Sequence, residues 1–212
     1  MEMINKIISA VMCGIYISIG ATAYIILGNN VAGALFFAAG ILLVSAYYNM
    51  LLTRVFALYA FKDSGYKPSD VLIAFCGNFI GCIAYAAVIS VTRVGNAVQK
   101  ETIERIVDLR LNDSYLSIFI LAVLCGFLVA SACLTSKVFE NRGVALALTV
   151  VFIATFVICV PEHIVADMFY FAYYSINIGL KVEFIPIIII VTLGNLTGGM
   201  GMSYLERYRA AK

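Results

Sequence analysis

Apolar residues along the chain fall into six long blocks separated by short polar stretches. A helix needs about 20 mainly apolar residues to cross the hydrocarbon of a bilayer. On that basis the blocks near 6–27, 31–60, 70–92, 114–136, 143–178 and 185–205 are read as membrane spans. The second and fifth are too long for one crossing. Each holds a polar interruption: "YYNMLLTR" (Tyr47–Arg54) in the second and "PEH" (Pro161–His163) in the fifth. The pattern therefore predicts two broken helices, with Pro161 ending the first half of the later one. Between the third and fourth blocks, Val98, Ile103, Ile106 and Leu109 recur at helical spacing, which predicts a short surface helix. The first block is longer than a signal-peptide core and has no convincing small-residue cleavage site, so it is read as a membrane helix.

The blocks also repeat. "CGIYIS" at Cys13 returns as "CGFLVA" at Cys125, an offset of 112, and "GNFIGC" at Gly77 returns as "GNLTGG" at Gly194, an offset of 117. The two breaks are again about 112 apart. Three spans per half is an odd number, so the second half enters the membrane upside down. An inverted repeat with a broken helix in each half is a transport architecture. The expected fold is an all-α membrane protein with six transmembrane helices as an inverted 3+3 repeat, broken second and fifth helices and an aquaporin-like protomer. It forms one transmembrane domain over 1–212, with repeats of about 1–95 and 113–212 and an outer linker of about 94–112. Irregular backbone at membrane depth survives only in protein or along a wet cavity, so both breaks are expected to meet around one path.

Composition agrees with a multi-pass membrane chain: 63% of residues are hydrophobic, 12% are charged and the mean hydropathy is +1.02. The net charge of +2, without a basic run, argues against a nucleic-acid partner. With both termini cytoplasmic, eight Lys and Arg residues fall inside (Lys6, Lys62, Lys67, Lys137, Arg142, Arg207, Arg209, Lys212) and five outside (Arg93, Lys100, Arg105, Arg110, Lys181). That excess orients the chain in the cell (inner) membrane. The six cysteines lie in apolar segments and none forms C-x-x-C, so they are read as packing residues rather than metal ligands. No cofactor, metal or enzymatic role is expected.

The chemistry concentrates in "CVPEHIVADMF", which holds the only histidine. A lone histidine is often structural, but an ionisable group at membrane depth is a functional candidate by default, and His163 is read as lining the path. Imidazole titrates near neutrality, at about 6.5, so it can pair with an anion or hand it a proton. Glu162 is read as scaffold, accepting backbone N–H bonds freed at the helix start. Asp167, at i+4 from His163, shares its face; it either charges the path or points into packing. Asn78 and Asn195, set among glycines, are read as bonding the exposed backbone of the breaks. Arg54 is either an anion-attracting mouth residue or a snorkelling interfacial charge. Two rivals stand beside a transport path. An intramembrane metal-dependent enzyme lacks a second histidine, and a neutral-solute channel of aquaporin or urea type lacks paired Asn-Pro-Ala breaks.

"CGIYISIGA", "GNFIG", "EHIVADMF" and "GNLTGG", in that order and at repeat spacing, resemble motifs of the formate/nitrite transporter family of small-anion channels, which includes hydrosulfide-conducting members. The resemblance covers nearly the whole chain. It implies a homopentamer with one pore per protomer, and a small inorganic or one-carbon anion (formate, nitrite or hydrosulfide class) crossing as ion or weak acid. It implies a central histidine at His163 preceded by Glu162, and a break-loop element at Leu51, Leu52 and Thr53, where the family's Phe becomes Leu52. Thr53 is expected to help set the His163 ring. A cytoplasmic constriction is implied at Phe37, Ile41 and Phe156. Asp167 replaces the family's Asn, and the family's lysine at the start of the fifth helix falls on Ala145, with Arg142 about one turn earlier as a substitute. Only Met1–Asn5 precede the first span, so gating by the family's long N-terminal amphipathic helix is not carried over.

Overall fold

Each apolar block becomes helix, and polar residues at the junctions satisfy the free backbone groups at the helix starts. The computed structural model describes residues 2–28, 30–47, 49–59, 61, 64–159 and 162–210. Pro161, expected to end a half-helix, lies outside the described residues, as do Lys62 and Lys212 of the charge count. Ten helices and no strand are present among the described residues. They are α1 (Glu2–Ile26), α2 (Val31–Ala46), α3 (Leu52–Tyr59), α4 (Pro68–Ser90), α5 (Arg93–Ala97), α6 (Lys100–Leu111), α7 (Tyr115–Val138), α8 (Arg142–Ile158), α9 (Ile164–Asn177) and α10 (Phe184–Ala210).

The starts follow from local chemistry. Gly33 N–H donates to Asn30 Oδ1 (2.9 Å) to begin α2. Ser117 N–H donates to Ser114 Oγ (3.2 Å) to begin α7. Gly143 and Val144 N–H donate to Asn141 Oδ1 (2.9 and 3.2 Å) to begin α8. Pro68 opens α4 where its missing N–H costs nothing. Asp70 accepts from Lys67 N–H (2.9 Å) and from Lys6 Nζ (2.8 Å), which ties the starts of α1 and α4 together.

Among the described residues four helices, α1, α4, α7 and α10, are long and apolar enough to cross a membrane. The shorter α2 and α8 each end before a second helix, α3 or α9, begins, and residues 47, 49–51, 159 and 162–163 between them are not helical. The expected breaks therefore fall where polar residues interrupt the long blocks. Large apolar side chains such as Leu72, Ile80 and Val88 on α4 and Leu116, Ile120 and Leu124 on α7 face outward. An apolar belt of this kind suits lipid rather than water.

Close packing is set by the repeated Gly-Asn motifs. A Cβ on Gly81 would lie 2.1 Å from the Val11 carbonyl oxygen, and one on Gly198 1.9 Å from that of Val123. Only glycine permits α4 to pack on α1, and α10 on α7, at this distance. The linker differs from expectation. It folds as two helices, and in α6 the buried set is Ile103, Ile106, Val107 and Arg110, while Leu109 is half exposed.

Candidate functional site

The two breaks are held by one arrangement used twice. At the first, Asn78 Oδ1 accepts from Leu52 N–H (2.9 Å), while its Nδ2 donates to the carbonyls of Ala10 (2.8 Å) and Met50 (3.0 Å). At the second, Asn195 Oδ1 accepts from Ile164 N–H (3.0 Å) and its Nδ2 donates to Ala122 and Glu162 carbonyls (both 2.8 Å). Both asparagines are fully buried. A side-chain amide carries donors and an acceptor, so it serves both ends of a broken helix at once. The backbone-bracing role expected of Asn78 and Asn195 is what the geometry contains.

At the second break His163 is the N-cap of α9: Ala166 N–H donates to its Nδ1 (3.2 Å). A nitrogen that accepts carries no hydrogen, so the neutral ring holds its proton on Nε2. Nε2 lies 3.3 Å from Thr53 Oγ1, at the start of α3. The two breaks thus meet through one histidine and one threonine, 110 residues apart in sequence. Glu162 does not cap the helix as expected, because the histidine already occupies that place.

The other face of the ring stacks on Phe156 (centroids 5.7 Å apart, planes at 20°). Phe156 meets Phe37 edge to face at 5.8 Å, and Phe37 meets Tyr24 at 6.4 Å. These aromatics border a cavity of about 40 Å³ also lined by His163, Arg105, Arg110 and Tyr170. That is room for two or three water-sized groups, since one takes about 10–15 Å³ on this measure. The cavity abuts α6, at the end of the bundle opposite the Lys6–Asp70 pair. The Phe37–Phe156 pair therefore stands on the linker side of His163, not on the side of the termini where a cytoplasmic constriction was expected. Ile41, Leu51 and Leu52 line no part of this cavity; they are buried to within 1% and close the core beyond it. Past them, toward the termini, a second cavity of about 110 Å³ is lined by Arg54, Arg142, Ala145, Thr135 and Thr149 among others.

Asp167 is fully buried and turned toward α6. Arg110 donates its Nε–H to Asp167 Oδ1 (2.8 Å) and its Nη1 to the Ile106 carbonyl (2.8 Å). Glu162 Oε2 lies 2.8 Å from the same Nε as an ion pair, and the guanidinium sits 5.3 Å above the Tyr170 ring. Of the two readings left open for Asp167, packing against a partner is the one realised. The cation beside the second break is thus Arg110, while Arg142 lies with Ala145 at the other cavity. The sequence contained a signal for it. Arg110 continues the Ile103–Ile106 face by one further turn, and a charge on the apolar face of a helix needs a buried partner. Arg105, Tyr24 and Tyr170 were likewise not anticipated. No group of three or more His, Cys, Asp or Glu suited to a metal exists among the described residues.

The fold has counterparts among solved proteins. The fold matches an "FNT family ion channel" with TM-score 0.85 at 20% identity, covering 98% of this chain and 90% of that one. It matches a "Pentameric formate channel with formate bound" with TM-score 0.82 at 24% identity, covering 98% of each chain. No curated protein matches the chain. A family model described as formate/nitrite transporter matches residues 1–208, essentially the whole sequence. The chain therefore belongs to the formate/nitrite transporter family.

Proposed function

We propose that each protomer carries a small monovalent anion, of the formate, nitrite or hydrosulfide class, or its neutral weak acid, along the path between the two cavities through His163. The observation that carries this reading is the His163–Thr53 contact at the junction of the two breaks, flanked by Phe37 and Phe156 on one side and by Ile41, Leu51 and Leu52 on the other. Apolar rings on both sides exclude water, and the bare charge of an anion is costly there. A single donor, the Nε2–H shared with Thr53, gives the substrate the one hydrogen bond it needs at the driest point. Arginines at both cavities, Arg105 and Arg110 at one and Arg54 and Arg142 at the other, favour anion entry.

The same reading takes the two halves as an inverted 3+3 repeat of six spans, 1–95 and 113–212 with an outer linker 94–112. Both termini then lie in the cytoplasm, in the inner membrane. Support comes from the matched asparagine braces and from the excess of Lys and Arg on the terminal side. Five protomers assemble around an axis, as the structural neighbour's title states of that protein. The test is flux of formate, nitrite, hydrosulfide and glycerol into proteoliposomes, with His163 intact or replaced. Anion flux that His163→Ala lowers, with glycerol excluded, is the expected outcome. Glycerol passage at the anions' rate, or an anion flux indifferent to His163→Ala, would overturn the proposal.

A further inference from the structure

The carboxyls of the second break are given no task by that path. Two buried carboxyls, Glu162 and Asp167, share one guanidinium, that of Arg110. The Arg110 Nε–H is spent on Asp167 Oδ1, and Nη1 on the Ile106 carbonyl. Glu162 Oε2 and Asp167 Oδ2 are left with no hydrogen-bond partner, both buried. With both carboxyls ionised the cluster would hold one uncompensated negative charge and two orphaned oxygens. One proton held by this neighbouring pair of carboxyls removes the charge and supplies a hydrogen bond between them.

Glu162 also lines an open pocket of about 730 Å³ that shares Arg105 and Leu109 with the His163 cavity, with Glu101, Glu104, Asp108 and Asp113 in its wall and Arg105 as its one cation among the described residues. An acidic pocket repels anions and concentrates protons. It abuts the ion cluster, while Arg110 faces the His163 cavity. We propose that Glu162 and Asp167 hold one exchangeable proton, loaded from this acidic pocket, whose presence is linked to occupancy of the His163 cavity by the anion. This deepens the proposed function and rests on it.

The step is a proton transfer alone. A hydronium ion in the pocket gives its proton to the Glu162 carboxyl and leaves a water molecule, and the new O–H donates to the neighbouring Asp167 carboxylate. The cluster is then neutral and an anion beside His163 meets Arg110 uncancelled by a second carboxylate. Loss of the proton restores the negative charge and drives the anion out, so each event favours the other. His163 is a poor substitute for this store, because its Nδ1 is held by Ala166 N–H and its one proton by Thr53. The other groups facing the pair are few. Tyr170 comes from α9, Arg105 from α6 and Asp113 from the turn before α7. The Cys125 thiol approaches from α7, and Tyr24 from α1 borders Arg110.

Infrared spectroscopy of the purified protein reads the proton directly. A protonated-carboxyl C=O band is expected near neutral pH, shifted by deuterium and lost in both Asp167→Asn and Glu162→Gln, since either leaves one ionised carboxylate on Arg110. Absence of the band in the wild type, or its survival in Asp167→Asn, overturns the sharing. Formate flux into proteoliposomes supplies the second readout. Wild-type flux is expected to rise as the pocket side is acidified, by up to about tenfold per pH unit, the slope of one linked proton. Asp167→Asn is expected to flatten that rise. If the variant keeps the wild-type slope, protonation of formate itself sets the pH dependence and the linkage is refuted. Failure of the underlying transport reading is distinguishable, because wild-type vesicles would then pass none of the anions while the infrared band stands or falls alone.

Discussion

The two breaks have the same scaffold and different chemistry. Asn78 and Asn195 make equivalent sets of three hydrogen bonds, and Gly81 and Gly198 allow equivalent close approaches of the neighbouring helices. Past the asparagines the likeness ends. The first break leads into the eight-residue α3 through Leu51, Leu52 and Thr53, and its contribution to the junction is one hydroxyl. The second leads into the fourteen-residue α9, buried from Ile164 to Tyr174, and supplies an imidazole and two carboxyls that recruit Arg110 from the linker. Broken backbone at membrane depth has to be satisfied in each half, so that part is duplicated. A single path needs its polar groups only once, so they sit on one break.

The ion cluster is where this asymmetry is easiest to break. Arg110→Met strands two carboxyls in the core, and removing one partner of a buried ion pair costs about 3–5 kcal/mol. Thermal unfolding of the detergent-solubilised protein should show the largest loss for this variant. Adding Asp167→Asn to Arg110→Met should recover a substantial part of it, because one stranded charge disappears. A double variant no better than the single one would mean that Asp167 is not the group Arg110 neutralises.

The asparagines test the shared scaffold. Asn195→Ala leaves the Ile164 N–H without its partner, and Asn78→Ala does the same to Leu52 N–H. A stranded buried donor costs about 1–3 kcal/mol. Similar stability losses at both positions are expected, with the Asn195 variant additionally losing flux as the Glu162–His163 backbone loosens. Clearly unequal losses, in the same unfolding assay, would show that the two braces carry different loads.

This division also explains what could be read from the sequence. The helical blocks, their interruptions and the Gly-Asn pairs are periodic or repeated, and local patterns of that kind carry through to the fold. His163 and Thr53 were placed together through the break symmetry and the family resemblance. Arg110 was not, because its partners lie 52 and 57 residues further along the chain and only the folding back of α6 brings them near. The capping role went to Glu162 in sequence reasoning because carboxylates commonly cap helices. In the structure Arg110 claims the carboxylate, and the adjacent imidazole is left to take the N–H. The side on which Phe37 and Phe156 stand was likewise hidden, since composition cannot say which end of α2 faces the linker.

Among the described residues Thr53 supplies the first break's one polar contact with the junction, so the smallest expected effect falls there and bears most directly on the comparison. Thr53→Val keeps the shape of the side chain and removes the hydroxyl facing His163 Nε2. Thr53→Ser keeps the hydroxyl and removes a methyl group from a fully packed site. Loss of one neutral hydrogen bond is worth about 0.5–1.5 kcal/mol, a rate effect of roughly two- to tenfold if it is felt in the transit step. Formate flux should therefore fall by that factor in the valine variant and largely recover in the serine variant, while unfolding temperatures barely separate the two. If instead flux follows side-chain volume, with serine the poorer of the pair, the first break contributes packing alone. The imidazole would then be oriented by its own helix, through the Ala166 N–H, and the polar chemistry of the junction would belong to the second break alone.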